Sequence, residues 1–313
     1  MSARTAPSTS AVVRVERVTR SFGQVVALND VSIVLEPGLI GLLGPNGAGK
    51  STLIKLISGE LRPSLGEVEV LGCEPFANPD LYHRMGLCPE QEAVFEDLTG
   101  REFISFLLRL RGYSRKACNA LADEWLDRMG LTEAAHRRLG GYSKGMRQRA
   151  KLATTLAHKP DLLLLDEPLT GLDPMWRKRI IEHMKDAAAD GATVIFSSHV
   201  LHEVEQATRS IVLLYRGRLL AQGNAREIRA LVDKVPHRIH LLAEEPRALA
   251  QLLIRWECVE SVRVHDLGVD LTTPQPDRFY KQLTDEIAST PHGVSGWSSP
   301  DDSLHALFET LVG

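Results

Sequence analysis

The stretch GLLGPNGAGKST, at residues 41–52, carries the pattern that decides the fold. It contains G-x-x-x-x-G-K-[ST] at Gly44–Ser51, between an apolar run typical of a buried strand and a run with helical spacing. Glycines at 44, 47 and 49 let successive backbone N–H groups turn inward, because no Cβ stands in the way. A plain turn before a helix is the alternative. Three glycines in register with Lys-Ser favour a cradle for a nucleotide phosphate.

The residues of this loop have distinct expected roles. The backbone N–H groups and the N-terminus of the following helix are expected to hold the β-phosphate. Lys50 is expected to reach the β- and γ-phosphates, and the Ser51 hydroxyl to be a ligand of Mg²⁺. The predicted ATP-binding residues of the loop are Gly44, Pro45, Asn46, Gly47, Ala48, Gly49, Lys50, Ser51 and Thr52.

A second motif, LLLLDEP at residues 162–168, places two acids at the end of an apolar strand-like run. Open α/β sheets bind their ligands at the carboxyl ends of their strands. Asp166 is therefore predicted to serve the magnesium site through water, and Glu167 to polarise the water that attacks the γ-phosphate. Taken alone, an apolar strand that ends in Asp-Glu is often only a strand end. Beside the phosphate loop, the catalytic interpretation is favoured.

The bulk composition excludes other classes of protein. A formal net charge of -3 gives no electrostatic reason to expect nucleic acid as a partner. The four cysteines form no CxxC pair, which favours reduced packing thiols. The N-terminus lacks the apolar core of a signal peptide, and the apolar runs are shorter than the roughly 20 residues of a membrane helix. We therefore expect a soluble chain that has a membrane role only through a partner.

The stretch YSKGMRQRAKLATTLAHKPDLLLLDEPLTGLDP, at residues 142–174, resembles the ATP-binding subunits of ABC transporters. Their signature motif is matched by Ser143-Lys144-Gly145-Met146, and the order and spacing of motifs fit from about residue 12 to residue 225. The resemblance implies an α/β P-loop NTPase domain of the ABC ATPase type, with an antiparallel β subdomain and a helical subdomain. Short mixed elements after residue 237 predict a small C-terminal α+β domain.

The predicted domain boundaries follow from these patterns. We predict a disordered tail at 1–11, an ABC ATP-binding domain at 12–225 with its helical subdomain at about 95–155, a linker at 226–236, and an α+β accessory or regulatory domain at 237–313.

The resemblance also implies roles for five residues outside the two motifs. In the family, the signature residues matched by Ser143 and Gly145 close over the γ-phosphate held by the other subunit. A helix N-terminus at Ser143 would offer free N–H groups to that anion. Asp173 matches the loop that crosses the dimer interface, and His199 matches the switch histidine that contacts the γ-phosphate. Phe22 matches the aromatic that stacks on adenine, whereas a lone Phe would more often pack in the core.

One motif departs from the family pattern. Members usually have Pro-Gln where the linker loop begins, and this chain has GLCPEQ, with Glu90 at the glutamine position and Gln91 after it. Either side chain could approach Mg²⁺ and the attacking water, since both carry an oxygen ligand. The choice between Glu90 and Gln91 stays open at this point.

The resemblance implies a dimer that binds two ATP molecules, because one chain carries only one set of parts for each composite site. We expect a homodimer attached to the cytoplasmic face of the cell membrane through a separate permease subunit. EDLTGREF, at residues 96–103, resembles exporter subunits, so export of a substrate is predicted. Phe95, Leu98, Phe103 and Phe106 are candidates for lining the groove that receives the permease, although aromatics at helical spacing are more often core. The alternatives are a soluble ABC-type ATPase that acts on the ribosome or DNA, and a nucleotide-sensing regulatory module.

Overall fold

The structure is a computed structural model that describes residues 11–91, 94–224, 237–289 and 294–298. The chain divides into two compact units, Met1–Ala225 and Arg226–Gly313, and each is described by itself. Residues 1–10 of the predicted tail, all of the predicted linker and residues 299–313 of the predicted C-terminal domain lie outside the described residues. No helix in the described ranges is long and apolar enough to cross a membrane.

The first unit contains two sheets and the helices that connect them. Its strands are β1 (Val13–Phe22), β2 (Val25–Leu35), β3 (Leu39–Leu43), β4 (Leu65–Val70), β5 (Met85–Cys88), β6 (Leu162–Leu165), β7 (Thr193–Ser198), β8 (Ser210–Tyr215) and β9 (Arg218–Asn224). Its helices are α1 (Lys50–Ile57), α2 (Pro79–Arg84), α3 (Gly100–Leu110), α4 (Arg115–Arg128), α5 (Lys144–Leu156), α6 (Pro174–Ala189) and α7 (Leu201–Ala207).

The larger sheet has the strand order β5-β6-β7-β3-β8-β9. The first five strands are parallel, and β9 pairs antiparallel with β8. Every residue of β6 and β7 is buried, which is why LLLL at 162–165 and most of β7 are apolar rather than alternating. Parallel strands bring their carboxyl ends to one edge, and the loops after β3, β5, β6 and β7 all leave from that edge.

A smaller antiparallel sheet, with the order β2-β1-β4, packs beside it. Val15 and Leu28 of this sheet belong to the same apolar cluster as Leu42 of β3 and Ile54 of α1. The shared cluster fixes the start of α1 against both sheets. The predicted α/β class with an antiparallel β subdomain is therefore confirmed.

The helical block between β5 and β6 begins with a strong start signal. The Thr99 side chain accepts a hydrogen bond from the Glu102 amide, and the Glu102 carboxylate accepts one from the Thr99 amide, which completes a capping box. Arg101 of α3 donates two hydrogen bonds, of 2.6 and 2.8 Å, to Asp123 of α4. The hydrogen bond from Arg101 lowers the pKa of the Asp123 carboxyl. These contacts hold α3 against α4.

In its described residues, the second unit has a four-stranded antiparallel sheet and two helices. Its elements are β10 (His237–Ala243), α8 (Pro246–Leu253), β11 (Ser261–His265), β12 (Gly268–Thr273), α9 (Pro276–Ser289) and β13 (Val294–Ser298), and the strand order is β11-β12-β10-β13. Ile239 and Leu241 of the sheet share a core with Leu253 of α8 and Phe279 of α9. Trp256, in the segment after α8, belongs to the same core. This is the α+β architecture that the sequence predicts.

Candidate nucleotide-binding site

The loop between β3 and α1 needs its glycines for two different reasons. Gly47 and Gly49 have φ angles of +79° and +102°, in the left-handed region that glycine adopts without strain. A Cβ on Gly44 would lie 2.3 Å from the Leu214 carbonyl oxygen, so the close approach of β8 requires glycine there. No side chain caps α1, whose N-cap is Gly49. The loop therefore presents a helix N-terminus that has no side-chain acceptor.

Lys50, the first residue of α1, turns back into this loop. Its Nζ donates to the Gly44 carbonyl at 2.7 Å and to the Pro45 carbonyl at 3.2 Å, and lies 3.4 Å from Glu167 Oε1. The Lys50 and Glu167 side chains are only 6% and 9% exposed. The ammonium group thus sits among the loop carbonyls and a buried carboxylate, where an incoming phosphate can replace weaker partners.

The two acids after β6 are held by a serine of the neighbouring strand. The Glu167 amide donates to Ser197 Oγ at 2.8 Å, and Ser197 Oγ donates to Asp166 Oδ1 at 2.6 Å. Glu167 has a φ of +48°, an unusual value for a residue with a Cβ, which costs about 1 kcal/mol or more. Ser197 offsets part of that strain by accepting the Glu167 amide. Sequence reasoning missed Ser197, although the polar pair that ends the apolar run of β7 was a signal.

His199 contacts the other oxygen of Glu167. Its Nδ1 lies 3.0 Å from Glu167 Oε2, and since an ionised carboxylate only accepts, the proton of this bond belongs to Nδ1. Glu167 Oε1 is buried and makes no hydrogen bond. Four of the predicted site residues thus lie together. Lys50 and His199 contact the two oxygens of the Glu167 carboxylate, and Ser197 links Asp166 to the Glu167 amide.

The predicted signature residues lie at helix starts. Ser143 is the N-cap of α5 and its Oγ accepts from the Met146 amide at 3.3 Å. Asp173 is the N-cap of α6 and accepts from the Trp176 amide at 2.9 Å. Both caps are exposed, and no hydrogen bond or ion pair between described residues joins them to the loop at Gly44–Ser51. They are surface groups that a second molecule can reach.

The linker loop after β5 lies beside the acids. Cys88 pairs in register with Leu165, and the Asp166 amide donates to the Cys88 carbonyl at 2.8 Å. Glu90 and Gln91 follow at once, with exposed side chains. The structure therefore brings both candidates to the edge of the sheet that carries Asp166, and the choice between them stays a prediction.

A buried lysine that sequence reasoning missed holds this loop by its backbone. Lys151 Nζ donates to the Pro89 and Gln91 carbonyls, each at 2.7 Å, and lies 3.5 Å from the Glu90 carbonyl. An ammonium group has three donors, so these carbonyls match its capacity. The signal in the sequence was a lysine inside an otherwise apolar stretch of α5.

Two further side chains continue this row along the free edge of β5. Thr155 Oγ1 lies 3.3 Å from the Leu87 carbonyl and 2.9 Å from the Lys151 carbonyl, which share its single proton. His158 Nε2 donates to the Met85 carbonyl at 3.1 Å. Burial lowers the pKa of His158 to about 4, and burial raises the pKa of the Cys88 thiol to about 11. Carbonyls of alternate residues on β5 face no other described strand. Side chains from α5 and just beyond it contact them, and Arg111 also donates to the Met85 carbonyl.

The predicted aromatic positions have different environments. Phe22 is 46% exposed, with the Arg20 guanidinium 4.6 Å from the centre of its ring, so the core-packing alternative is wrong. Phe95 and Phe106 are 53% and 40% exposed and meet edge to face, whereas Leu98 is half-buried. Phe103 is wrong as a groove residue, because its side chain is buried in the core of the helical block.

Known proteins are similar to this chain in sequence. The family model described as ABC transporter matches residues 28–170. The daunorubicin/doxorubicin resistance ATP-binding protein DrrA of Streptomyces peucetius is 33% identical over 311 residues, which cover 97% of this chain and 92% of that protein. The linearmycin resistance ATP-binding protein LnrL of Bacillus subtilis is 33% identical over 312 residues, which cover 96% of this chain and 98% of that protein.

The fold is also found among solved structures. A dimeric ATP-binding cassette in a post-hydrolysis state, bound to ADP and Pi, superposes with a TM-score of 0.63 at 24% identity. The match covers 68% of this chain and 99% of that one. At this identity the likeness shows the fold alone.

Proposed function

This chain belongs to the ABC transporter family of ATP-binding proteins, and from that premise we propose that it powers export through a separate membrane permease. It is an ATPase of the ABC type, related to ATP-binding proteins of exporter-like resistance systems. In the proposal, two copies bind two ATP molecules, close together, and reopen after hydrolysis. The assembly lies on the cytoplasmic face of the membrane because the permease holds it there.

Export is proposed from the likeness to the resistance proteins, and the observation that carries the hydrolysis step is the surroundings of Glu167. Its Oε1 is buried and makes no hydrogen bond, while Oε2 accepts from His199. Oε1 forms an ion pair with Lys50 but no hydrogen bond, so it keeps the capacity to accept a proton from water, which makes Glu167 the proposed general base. Lys50 lies 3.4 Å from that oxygen and belongs to the phosphate loop, so the base and the phosphate cradle meet at one point.

Mg²⁺ suits the oxygen donors near this loop. Ser51 offers a hydroxyl, Asp166 a carboxylate, and Glu90 or Gln91 a side-chain oxygen, which are the ligand types that Mg²⁺ prefers. These residues are proposed to hold the ion, which when bound neutralises charge on the phosphates. His199 and the backbone N–H groups of the loop are proposed to orient the γ-phosphate.

The exposed helix starts at Ser143 and Asp173 support a two-chain site. A helix N-terminus attracts anions, and Ser143 and Gly145 open a 13-residue helix at the surface. A Cβ on Gly145 would lie 2.9 Å from the Gly171 carbonyl, so this start is packed against the loop that leads to Asp173. We propose that this joint surface closes over the γ-phosphate held by the second copy.

Exposed aromatic side chains are proposed to contact the permease and the adenine ring. The exposed Phe95 and Phe106, with the half-buried Leu98, are proposed to contact a cytoplasmic helix of the permease. The exposed ring of Phe22 is proposed to stack on adenine once the Arg20 guanidinium moves aside.

The test is a pull-down of tagged Glu167→Gln protein from detergent-solubilised membranes, with and without Mg-ATP, followed by mass spectrometry. We expect a multi-spanning membrane protein to co-purify, more so with Mg-ATP, since the variant closes without hydrolysing. Glu182→Gln, an exposed substitution on α6, is the matched control and should behave like the parent. Recovery of only soluble partners or ribosomes would contradict the permease and favour the soluble ABC-type ATPase.

A further inference from the structure

The second unit carries two histidines and one aspartate on the open face of its sheet. His240 lies on β10, His265 on β11 and Asp270 on the central strand β12. Ile239 and Leu241, the neighbours of His240, face the core, so His240 faces the opposite side. The ligand atoms of the three side chains all lie within 4.8 Å of one another.

Strand register explains how side chains from three strands meet. Asp270 is the direct partner of His240. His265 is the direct partner of Gly268, which has no side chain in that row. The His265 ring can therefore lean across β12 and stack on His240, with 4.7 Å between ring centres and 4° between planes.

The carboxylate of Asp270 turns to the imidazoles. Arg263 on β11 is its other direct partner in the sheet. The side chains of these two described residues nevertheless form no ion pair. Asp270 Oδ1 instead lies 2.5 Å from His240 Nδ1 and 3.6 Å from His265 Nε2. Two imidazole nitrogens and one carboxylate oxygen thus converge on one point of the surface.

We propose that His240, His265 and Asp270 bind a divalent transition-metal ion, with Zn²⁺ as the representative. A tetrahedral zinc ion with bonds of about 2.0–2.1 Å separates its ligand atoms by about 3.3 Å. His265 Nε2 lies 3.3 Å from His240 Nδ1 and 3.6 Å from Asp270 Oδ1. Two of the three ligand edges are therefore already near the required length. Imidazole with carboxylate is a donor set that suits Zn²⁺ and its first-row neighbours.

Binding requires three small adjustments. The proton between His240 Nδ1 and Asp270 leaves, and their 2.5 Å separation opens by about 0.8 Å to the tetrahedral edge. The stacked rings tilt so that both nitrogens face the ion. In His265 the remaining proton moves to Nδ1, and the 3.4 Å contact from the Leu267 amide is lost. All three side chains are partly exposed, so the surrounding core does not resist these changes.

Neighbouring charges and the number of ligands determine the expected affinity for the metal ion. Arg238 and Arg263 border the cluster and raise the cost of placing a second cation there. Three protein ligands leave a fourth position for water, as in open zinc sites. We therefore expect reversible binding in the micromolar range rather than a permanently loaded structural site.

The test is a calorimetric titration of the nucleotide-free full chain with Zn²⁺, in excess Mg²⁺ to occupy the oxygen donors of the first unit. A parallel titration with Co²⁺ should develop the visible absorption of a tetrahedral site. We expect His265→Gln and Asp270→Asn each to remove one equivalent of binding, or to weaken it at least about tenfold.

The control is Thr272→Ala, on the same face of the same sheet, where the Thr272 hydroxyl bonds to the Ser261 hydroxyl. It should bind the metal like the parent. Circular dichroism of all variants separates lost binding from lost folding, and Asp270→Asn preserves the shape of the side chain. Equal stoichiometry and affinity in the parent and in both folded ligand variants would overturn the proposal. None of these measurements depends on ATP turnover.

Discussion

Two neighbouring regions at the carboxyl edge of the large sheet are constructed in opposite ways. At the ends of β6 and β7, the side chains of Asp166 and Glu167 are buried, and Ser197 ties the two strands together. At the end of β5, the side chains of Glu90 and Gln91 are exposed, and only the backbone is held, by Lys151. The first arrangement fixes reacting groups in place. The second fixes a loop while its side chains can change partners, which suits a sensor of bound nucleotide.

The largest expected effect comes from the fixed end. Glu167→Gln should lower kcat by at least about a hundredfold, because an amide cannot accept the proton of water. ATP affinity should stay within a few-fold of the parent, since Lys50 and the loop are unchanged. Single-turnover hydrolysis and equilibrium binding of a fluorescent ATP analogue measure the two quantities. Turnover close to the parent rate would remove Glu167 from the reaction.

Next in size is the cradle. Lys50→Ala should weaken ATP binding by about 10- to 100-fold, because a charge-assisted hydrogen bond is worth about 1.5–3 kcal/mol. Lys55→Ala, one turn later in α1, is the control and should bind normally. Equal ATP affinity in Lys50→Ala and the parent would contradict the phosphate-cradle interpretation.

Replacing Ser197, which links β6 to β7, should lower kcat and stability more than replacing an ordinary buried serine. Ser197→Ala leaves the Glu167 amide without its acceptor, so we expect kcat to fall by about tenfold and the free energy of unfolding by about 1–3 kcal/mol. Ser198→Ala, the adjacent position, bonds instead to Glu203 and serves as the control. If both serine variants lose the same turnover, the fixed end does not depend on Ser197.

Loss of the Lys151 contacts should change the mobility of the linker loop more than the kcat of the enzyme. Lys151→Met removes the donor shared by the Pro89 and Gln91 carbonyls, so hydrogen–deuterium exchange should rise there while ATP affinity stays unchanged. We expect kcat to fall only severalfold. Thr155→Val, which loses the neighbouring bond to Leu87, is the control for general loosening of β5. Unchanged exchange at the loop would show that Lys151 does not hold it.

The smallest effect concerns pH. Burial lowers the pKa of His158 to about 4, below the ordinary value of 6.5. The folded state therefore binds fewer protons than the unfolded chain between these values, so stability falls as pH falls, by about 1 kcal/mol per pH unit from this group. His158→Gln keeps a donor for the Met85 carbonyl and should flatten the profile between pH 6.5 and 5. Urea unfolding at several pH values measures this, and parallel profiles would exclude His158 as the cause.

The sequence predicted what depends on local spacing. The phosphate loop, the acids after β6 and the helix start at Ser143 each lie within one short segment, so a single pattern identified them. The α/β class followed from the alternation of strands and helices. Residues joined only by tertiary contacts were not predictable in this way, because Ser197 and Lys151 act on segments 30 and about 60 positions away. The same holds for His265 and His240, which meet across a third strand.

Two further features were not predicted, each for its own physical reason. Phe103 was a groove candidate because helical spacing alone does not distinguish an exposed aromatic from a buried one. The packing of α4 and α5 against α3 determines which side of α3 is buried. The short strands β4 and β5 received no prediction, since four to six residues with few apolar neighbours give no clear period.

The buried thiol of Cys88 can report how often the β5 edge of the large sheet opens. With a pKa near 11 and full burial, its thiol is neutral and shielded, so alkylating reagents reach it only when α5 lifts from β5. Cys73 is exposed and can be blocked first. The later labelling rate of Cys88, compared with and without nucleotide, would then report how often the linker loop comes free.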